Sequence, residues 1–262
     1  MRVLIVLVLS IVGVLFPATM AGAIIGGTDD GSRHPYVGFI QVVDDLGAGY
    51  CTAVAISPTV VLTAAHCVTE TEGPTEIHFF YDLDGSGFTF DTGLEGFDGK
   101  VAATAYVYPG FCAACGKGLP GYDKNDLAVL VLDQPIELPR YAQLPTVGQV
   151  TTLKNPSVTY VGYGVIAYTA GGGTPQQIFD YNFRRQTAMG SIITNKNVIS
   201  TDFVSLSHAA GIRTCQGDSG SPILFGDTVL ALLSFSNGQC TGGQYAFRID
   251  SAEKLAFIRS FL

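Results

Sequence analysis

From Ile24 onward, apolar residues gather in short runs that glycine, proline, aspartate and serine interrupt. Tyr36 to Val43, Ala53 to Ile56, Val60 to Ala64, Glu76 to Tyr81 and Leu127 to Leu132 are rich in β-branched and aromatic residues. Such side chains pack well on a pleated surface, and the breakers between the runs mark turns. Ser157 to Tyr163, Ser221 to Phe225, Val229 to Phe235 and Gln244 to Ile249 continue the pattern. The last segment, Ser251 to Leu262, changes period: Leu255, Ile258 and Leu262 fall on one helical face, and Ser251 is a suitable cap. Many short strands and one terminal helix predict an all-β barrel or sandwich. The stretch around Ile136 to Pro145, with Pro135, Pro139 and Pro145, reads as a linker between two β domains.

The beginning of the chain does not fit this pattern. Arg2 follows Met1, Val3 to Phe16 are almost unbroken apolar, and Ala21-Gly22-Ala23 follow. A basic start, an apolar stretch and small residues at the end describe a secretory signal peptide over residues 1–23. The run is short for a membrane span, so the mature protein is expected to be exported, soluble and free of the membrane. Export makes disulfide partners of Cys51, Cys67, Cys112, Cys115, Cys215 and Cys240. Zinc is the competing use, but Cys112-Ala-Ala-Cys115 has no second ligand pair at finger spacing; no metal is expected. With a formal net charge of −8 there is no basic surplus to displace counterions, which argues against nucleic acid.

Three local signatures follow one another. Thr63-Ala64-Ala65-His66-Cys67 comes just after a strand, and Asn125-Asp126-Leu127-Ala128-Val129-Leu130 takes an acid into an apolar strand. The third is Cys215-Gln216-Gly217-Asp218-Ser219-Gly220-Ser221-Pro222. In the order His, Asp, Ser, and from Ile24 to Leu262, the sequence resembles the chymotrypsin-like (trypsin-fold) serine proteases. The resemblance implies two packed antiparallel β-barrels with a C-terminal helix, the first (24–140) carrying His66 and Asp126, the second (141–262) carrying Ser219. It also implies a serine endopeptidase acting on protein or peptide substrates, monomeric, secreted and without a cofactor. The chemistry fits the residue types. A serine alcohol is a weak nucleophile near neutral pH and needs a base within reach. His66 can take that proton and return it to the leaving amine, and a buried Asp126 carboxylate would fix the imidazole tautomer. By resemblance the amides of Gly217 and Ser219 form the oxyanion hole. His34, His78 and His208 read as structural.

The same resemblance implies the disulfides Cys51–Cys67 and Cys215–Cys240, with a local Cys112–Cys115 bridge outside the common pattern. Ile24-Ile25-Gly26-Gly27 resembles the family's mature start, whose freed ammonium pairs with the acid before the nucleophile, here Asp218. Since Ala23 abuts Ile24, signal cleavage itself would produce that terminus; cleavage nearer Ala21 would leave a very short propeptide. Around the primary pocket the sequence departs from familiar subtypes: Arg213 and Thr214 at its base, Ser234 and Ser236 on its wall, and an open Gly243. A guanidinium binds carboxylates in fork geometry, so an acidic residue before the scissile bond is the expected preference; a pocket merely shortened by an internally paired Arg213 is the alternative. Asp82, Asp84 and Asp91 lack a full calcium-loop pattern and read as a solvated acidic turn. A non-catalytic binding or signalling protein on the protease fold is the rival function, disfavoured by the intact triad.

Overall fold

The computed structural model describes residues 24–45, 47–69, 71, 75–81, 99–117, 122–165, 167–170, 177–180, 183–193, 199–236, 240 and 243–262. The expected signal peptide and the acidic residues Asp82, Asp84 and Asp91 lie outside the described residues. After a two-residue strand, β1 (Thr28–Asp29), come β2 (Val37–Asp44), β3 (Gly47–Ala55), β4 (Val60–Thr63), β5 (Glu76–Phe80), β6 (Lys100–Val107) and β7 (Ala128–Leu132). The six strands β2 to β7 close into an antiparallel barrel in the order β2-β3-β4-β7-β6-β5, with Phe39 of β2 opposite Phe80 of β5 at the seam. Alternation does the sorting: along β6, Val101, Ala103, Ala105 and Val107 are half-buried while Lys100, Ala102, Thr104 and Tyr106 face outward.

The chain then crosses through residues 133–156, which carry no named strand but include the short helix α1 (Gln149–Thr152), to a second set of strands. These are β8 (Ser157–Gly162), a separate hairpin of β9 (Ala167–Ala170) and β10 (Gln177–Asp180), then β11 (Gln186–Ile193), β12 (Phe203–His208), β13 (Pro222–Phe225), β14 (Thr228–Ser236) and β15 (Gln244–Arg248). The order β11-β12-β15-β14-β13-β8, with β8 also pairing to β11, closes a second six-stranded barrel. Two antiparallel barrels with a C-terminal helix are therefore the architecture. β1 pairs with β11, and Ile24 is buried beside Val158, Tyr160 and Ala188, so the first described residues pack on the second barrel rather than the first.

The terminal helix, α2 (Ala252–Arg259), starts where expected: Ser251 Oγ accepts the Lys254 amide at 3.3 Å. Leu255 and Ile258 are buried, but Leu262 is 62% exposed. The expectation that Leu262 shares their face fails because the helix ends at Arg259, and Phe257 and Phe261 do that packing against Tyr108 and Tyr106, at 5.2 and 4.8 Å between ring centroids. Lys254 is buried too, its ammonium 2.8 Å from Asp202 and 4.1 Å from the Phe247 ring centroid.

A buried ion pair ties the amino-terminal segment to the entry of β11. Asp30 is fully enclosed, with Arg185 Nε at 2.9 Å and His34 Nδ1 at 2.6 Å. Arg185 also donates to the carbonyls of Val37 and Gly31. Burial would raise the Asp30 carboxyl, but His34 and Arg185 outweigh it and hold it below the ordinary range. A depressed folded pKa means stability that is present above the unfolded value and lost as pH falls through the folded one. Asp30→Ala is expected to cost about 3–5 kcal/mol, because Arg185 loses its buried counter-charge; chemical denaturation at pH 7 measures it, and the loss should shrink toward pH 3.

Candidate active site

The site is assembled at the meeting of the two barrels. β4 ends at Thr63, and two buried alanines lead into a single helical turn, His66–Thr69. The Cys51–Cys67 disulfide anchors that turn to β3. On the neighbouring strand, Asn125 takes a left-handed backbone (φ 54°), with its side chain on the Gly110 carbonyl, and delivers the fully buried Asp126 to the start of β7. Asp126 grips the histidine twice: Oδ1 accepts the His66 amide at 3.0 Å and Oδ2 meets Nδ1 at 2.9 Å. Ser234, from β14 of the other barrel, donates its hydroxyl to the same Oδ2. Burial acts to raise the Asp126 carboxyl, yet the His66 charge and the hydrogen bonds from His66 and Ser234 prevail, and it lies below the usual range. An ionised Asp126 holds Nδ1 as the protonated nitrogen, so that the basic lone pair of the imidazole sits on Nε2.

Ser219 comes from the turn between the Cys215–Cys240 disulfide and β13. Barrel one holds that turn through two threonines. Thr52 donates its amide to the Ser219 carbonyl at 2.9 Å and its hydroxyl to the Gly217 carbonyl at 2.9 Å, while Thr63 Oγ1 donates to the Thr52 carbonyl. Gly217 (φ 87°) and Gly220 (φ 80°) adopt backbone that favours glycine, and a Cβ on Gly220 would run into the Thr52 carbonyl and the Thr63 hydroxyl. Among the described residues, the amides of Gly217 and Ser219 have no acceptor. Two free N–H groups flanking the serine suit an oxyanion.

His66 and Ser219 line one cleft of about 200 Å³, together with Asp123, Cys215, Gln216, Ser234, Phe235, Ser236 and Cys240. Of the expected pocket residues, Ser234 and Ser236 are in this lining; Arg213, Thr214 and Gly243 are not. Ser234 turns its hydroxyl to Asp126 instead of into the cleft. Arg213 stands two residues before Cys215, half-buried, its amide on the Ile25 carbonyl at 2.9 Å, and its guanidinium has no acid among the described residues. Beside it, Thr214 Oγ1 is buried and unpartnered. Asp218 is fully enclosed, accepting the amides of Gly164 (3.0 Å) and Cys215 (2.9 Å). Burial, only partly offset by those amides, pushes its carboxyl up to about 8.

Sequence patterning passed over Asp123, Thr52 and Thr63. Thr63 sat inside the histidine signature, but nothing in the linear pattern showed that it braces the Ser219 turn. Asp123 Oδ2 lies 3.8 Å from His66 Nδ1. His66, Asp123 and Asp126 bring three ligand-type atoms within 4.8 Å of one another, though Nδ1 and Oδ2 of Asp126 are already bonded together. Cys51 and Cys67, which form a second such group with His66, are joined in their disulfide. All three disulfides of the sequence reading are present, Cys112–Cys115 included.

A family model described as Trypsin matches residues 24–258. The chain is similar to a trypsin of Saccharopolyspora erythraea, 27% identical over 228 residues that cover 84% of this chain and 90% of that protein. It is 28% identical to granzyme M of Homo sapiens over 250 residues, covering 90% of this chain and 87% of the relative. Mouse (Mus musculus) kallikrein-11 is 25% identical over 199 residues, 72% of this chain; the match spans 64% of that longer protein. A solved structure titled HL collagenase superposes with a TM-score of 0.67 over 91% of this chain and 99% of its own, at 17% identity, a likeness of fold.

Proposed function

The chain belongs to the trypsin family of serine proteases, and on that premise we propose that it is a secreted endopeptidase with Ser219 as nucleophile, His66 as general base and Asp126 as its buried partner. The observation that carries the reading is the pairing of His66 with an ionised, enclosed Asp126 on one barrel, facing Ser219 of the other across a single cleft. Ser219 Oγ attacks the scissile carbonyl as His66 Nε2 removes its proton. The amides of Gly217 and Ser219 receive the developing oxyanion. The imidazolium then protonates the leaving amine, and water resolves the acyl-enzyme by the same steps in reverse. Substrates are proteins or peptides, and the chemistry asks for no metal or cofactor. Ile24, with its amino group freed, is the mature terminus, and Asp218 is the acid it pairs with. No helix among the described residues is long and apolar enough to cross a membrane; export rests on the leader-like first 23 residues. A fluorescent peptidyl phosphonate tests the activity: labelling at Ser219 is expected, and intact protein that resists labelling under conditions where a related trypsin reacts would leave only a binding role.

Primary specificity is the finer part of the reading. Among the described residues Arg213 has no acid partner, and the neighbouring Thr214 hydroxyl is buried and unpartnered; a substrate carboxylate would answer both. Peptides with Glu or Asp before the scissile bond are expected to beat those with Lys or Arg. A charge-assisted hydrogen bond in a partly desolvated site is worth about 1.5–3 kcal/mol. Arg213→Ala should therefore lower kcat/KM on the Glu substrate roughly ten- to a hundredfold. Wild-type preference for Phe, Leu or Ala, unmoved by the substitution, would make Arg213 structural.

A further inference from the structure

Among the described residues that line the cleft, one charged side chain is not used by the mechanism. Of these residues His66 and Asp123 are titratable, and the remainder are disulfide-bonded cysteines, serines, Gln216 and Phe235. Asp123 is about a fifth exposed, on the His66 side of the cleft. It is not a loose surface acid. The residues before and after it are zipped to the Cys112–Cys115 loop: Cys112 and Lys124 exchange two backbone hydrogen bonds at 3.1 and 2.9 Å, and Gly116 donates to the Tyr122 carbonyl at 2.7 Å. Between these pins the amide of Ala114, itself in left-handed backbone (φ 50°), donates to Asp123 Oδ1 at 2.6 Å. One carboxylate oxygen is thus spent on holding the side chain still.

The other oxygen, Oδ2, stands 3.8 Å from His66 Nδ1, too far for a hydrogen bond, and that nitrogen already serves Asp126 at 2.9 Å. Among the described residues no lysine or arginine pairs with Asp123. Tyr122 and Phe235 stack next to it, with centroids 5.8 Å apart, so an apolar surface adjoins the charge. A fixed anion beside an apolar patch suits a side chain with an aliphatic stem and a cationic head.

We propose that Asp123 is a specificity-determining residue that selects lysine or arginine in the substrate residue lying against His66, a residue flanking the one whose carbonyl Ser219 attacks. The inference rests on the endopeptidase reading above and deepens it. It is independent of Arg213, which is not among the residues that line the cleft beside Asp123. Preference for an acid at the scissile residue and for a cation beside it would rest on separate charges. The Cys112–Cys115 loop acts here as a positioning element, because it supplies the hydrogen bond that aims Asp123.

The test is a peptide library with every position around the scissile bond varied, run on wild type, Asp123→Asn, Asp123→Glu and the double variant Cys112→Ser/Cys115→Ser. Wild type is expected to favour Lys or Arg over Ala at one flanking position by at least about tenfold in kcat/KM. Asp123→Asn, whose amide oxygen can still accept from Ala114, should erase most of that ratio; Asp123→Glu should restore part of it, and the double cysteine variant should weaken it. The phosphonate labelling rate and the pH midpoint of kcat/KM are read on the same proteins. Phosphonate-reactive wild type with no cationic preference, or a preference that survives Asp123→Asn, overturns this inference alone. An equal loss on all substrates together with a shifted pH midpoint also overturns it, because Asp123 would then act through His66. Wild-type protein that does not react with phosphonate overturns the endopeptidase reading and this inference with it.

Discussion

Ser219→Ala is expected to reduce peptide hydrolysis by about a millionfold while leaving the fold intact. The size follows from the way such groups act together: once the nucleophile is gone, the base and its orienting acid have no proton to move. His66→Ala should lose nearly as much, and the double variant should add little to either. Stability should change by no more than about 0.5 kcal/mol, because the bonds that dock the turn are made by backbone. The Ser219 carbonyl accepts from Thr52, and the Gly217 carbonyl accepts from the Thr52 hydroxyl. Purified variants, assayed with a fluorogenic peptide and unfolded in denaturant, give both numbers. Turnover in Ser219→Ala above about 1% of wild type would remove Ser219 from the mechanism proposed here.

The residues at the centre of the site were visible in the sequence because each lies in a local signature. Their supports were not, because these act across long separations. Thr52 reaches a turn 165 residues later to hold Gly217, and Ser234 meets Asp126 across 108 residues. Strands were legible where large apolar residues alternate or run together, as in β2, β4, β7 and β14. β6 escaped because alanine takes two of its four inward positions, leaving little contrast between its faces. β11 escaped for the opposite reason: it buries polar residues, Gln186 and Thr187, which read as turn material in a linear pattern. Leu262 was misplaced because periodicity carries no stop signal; the helix ends at Arg259, and the chain turns away. Asp123 was invisible for a subtler reason. Its position depends on a hydrogen bond from Ala114, in the loop that the Cys112–Cys115 bridge closes.

Chains that begin at Ile24 are expected to be at least about a hundredfold more active near pH 7 than chains that retain Ala21-Gly22-Ala23. The reason lies in Asp218. In the uncleaved chain its carboxylate is fully enclosed, receives two amide hydrogen bonds and meets no cationic side chain among the described residues. Its pKa is consequently pushed up to about 8 from 3.8. An acid raised in the folded state costs stability progressively as pH rises from its unfolded value toward the folded one, here from about 4 to about 8, and a shift of this size is worth about 6 kcal/mol. That penalty falls on the arrangement that holds Gly217 and Ser219, the immediate neighbours of Asp218. Relief has to come from a cation, and the chain offers one nearby: Ile24 is fully buried, and Ile25 packs against Val165 and the Cys215–Cys240 disulfide, the neighbours of both amides that hold Asp218. A freed α-ammonium pairing with Asp218 would lower the acid's pKa and raise its own above the ordinary value of about 8. The stabilisation is then full between the two titrations; it is lost as pH rises through the folded amine value, and again as pH falls through the folded acid value. Asp218→Asn should remove the advantage of the Ile24 terminus, since the ammonium would then be buried without a counter-charge. Activity and denaturation midpoints from pH 4 to 10, measured on both chain starts and on Asp218→Asn, decide the matter. Equal activity from the extended chain at neutral pH would sink the pairing and leave the triad standing.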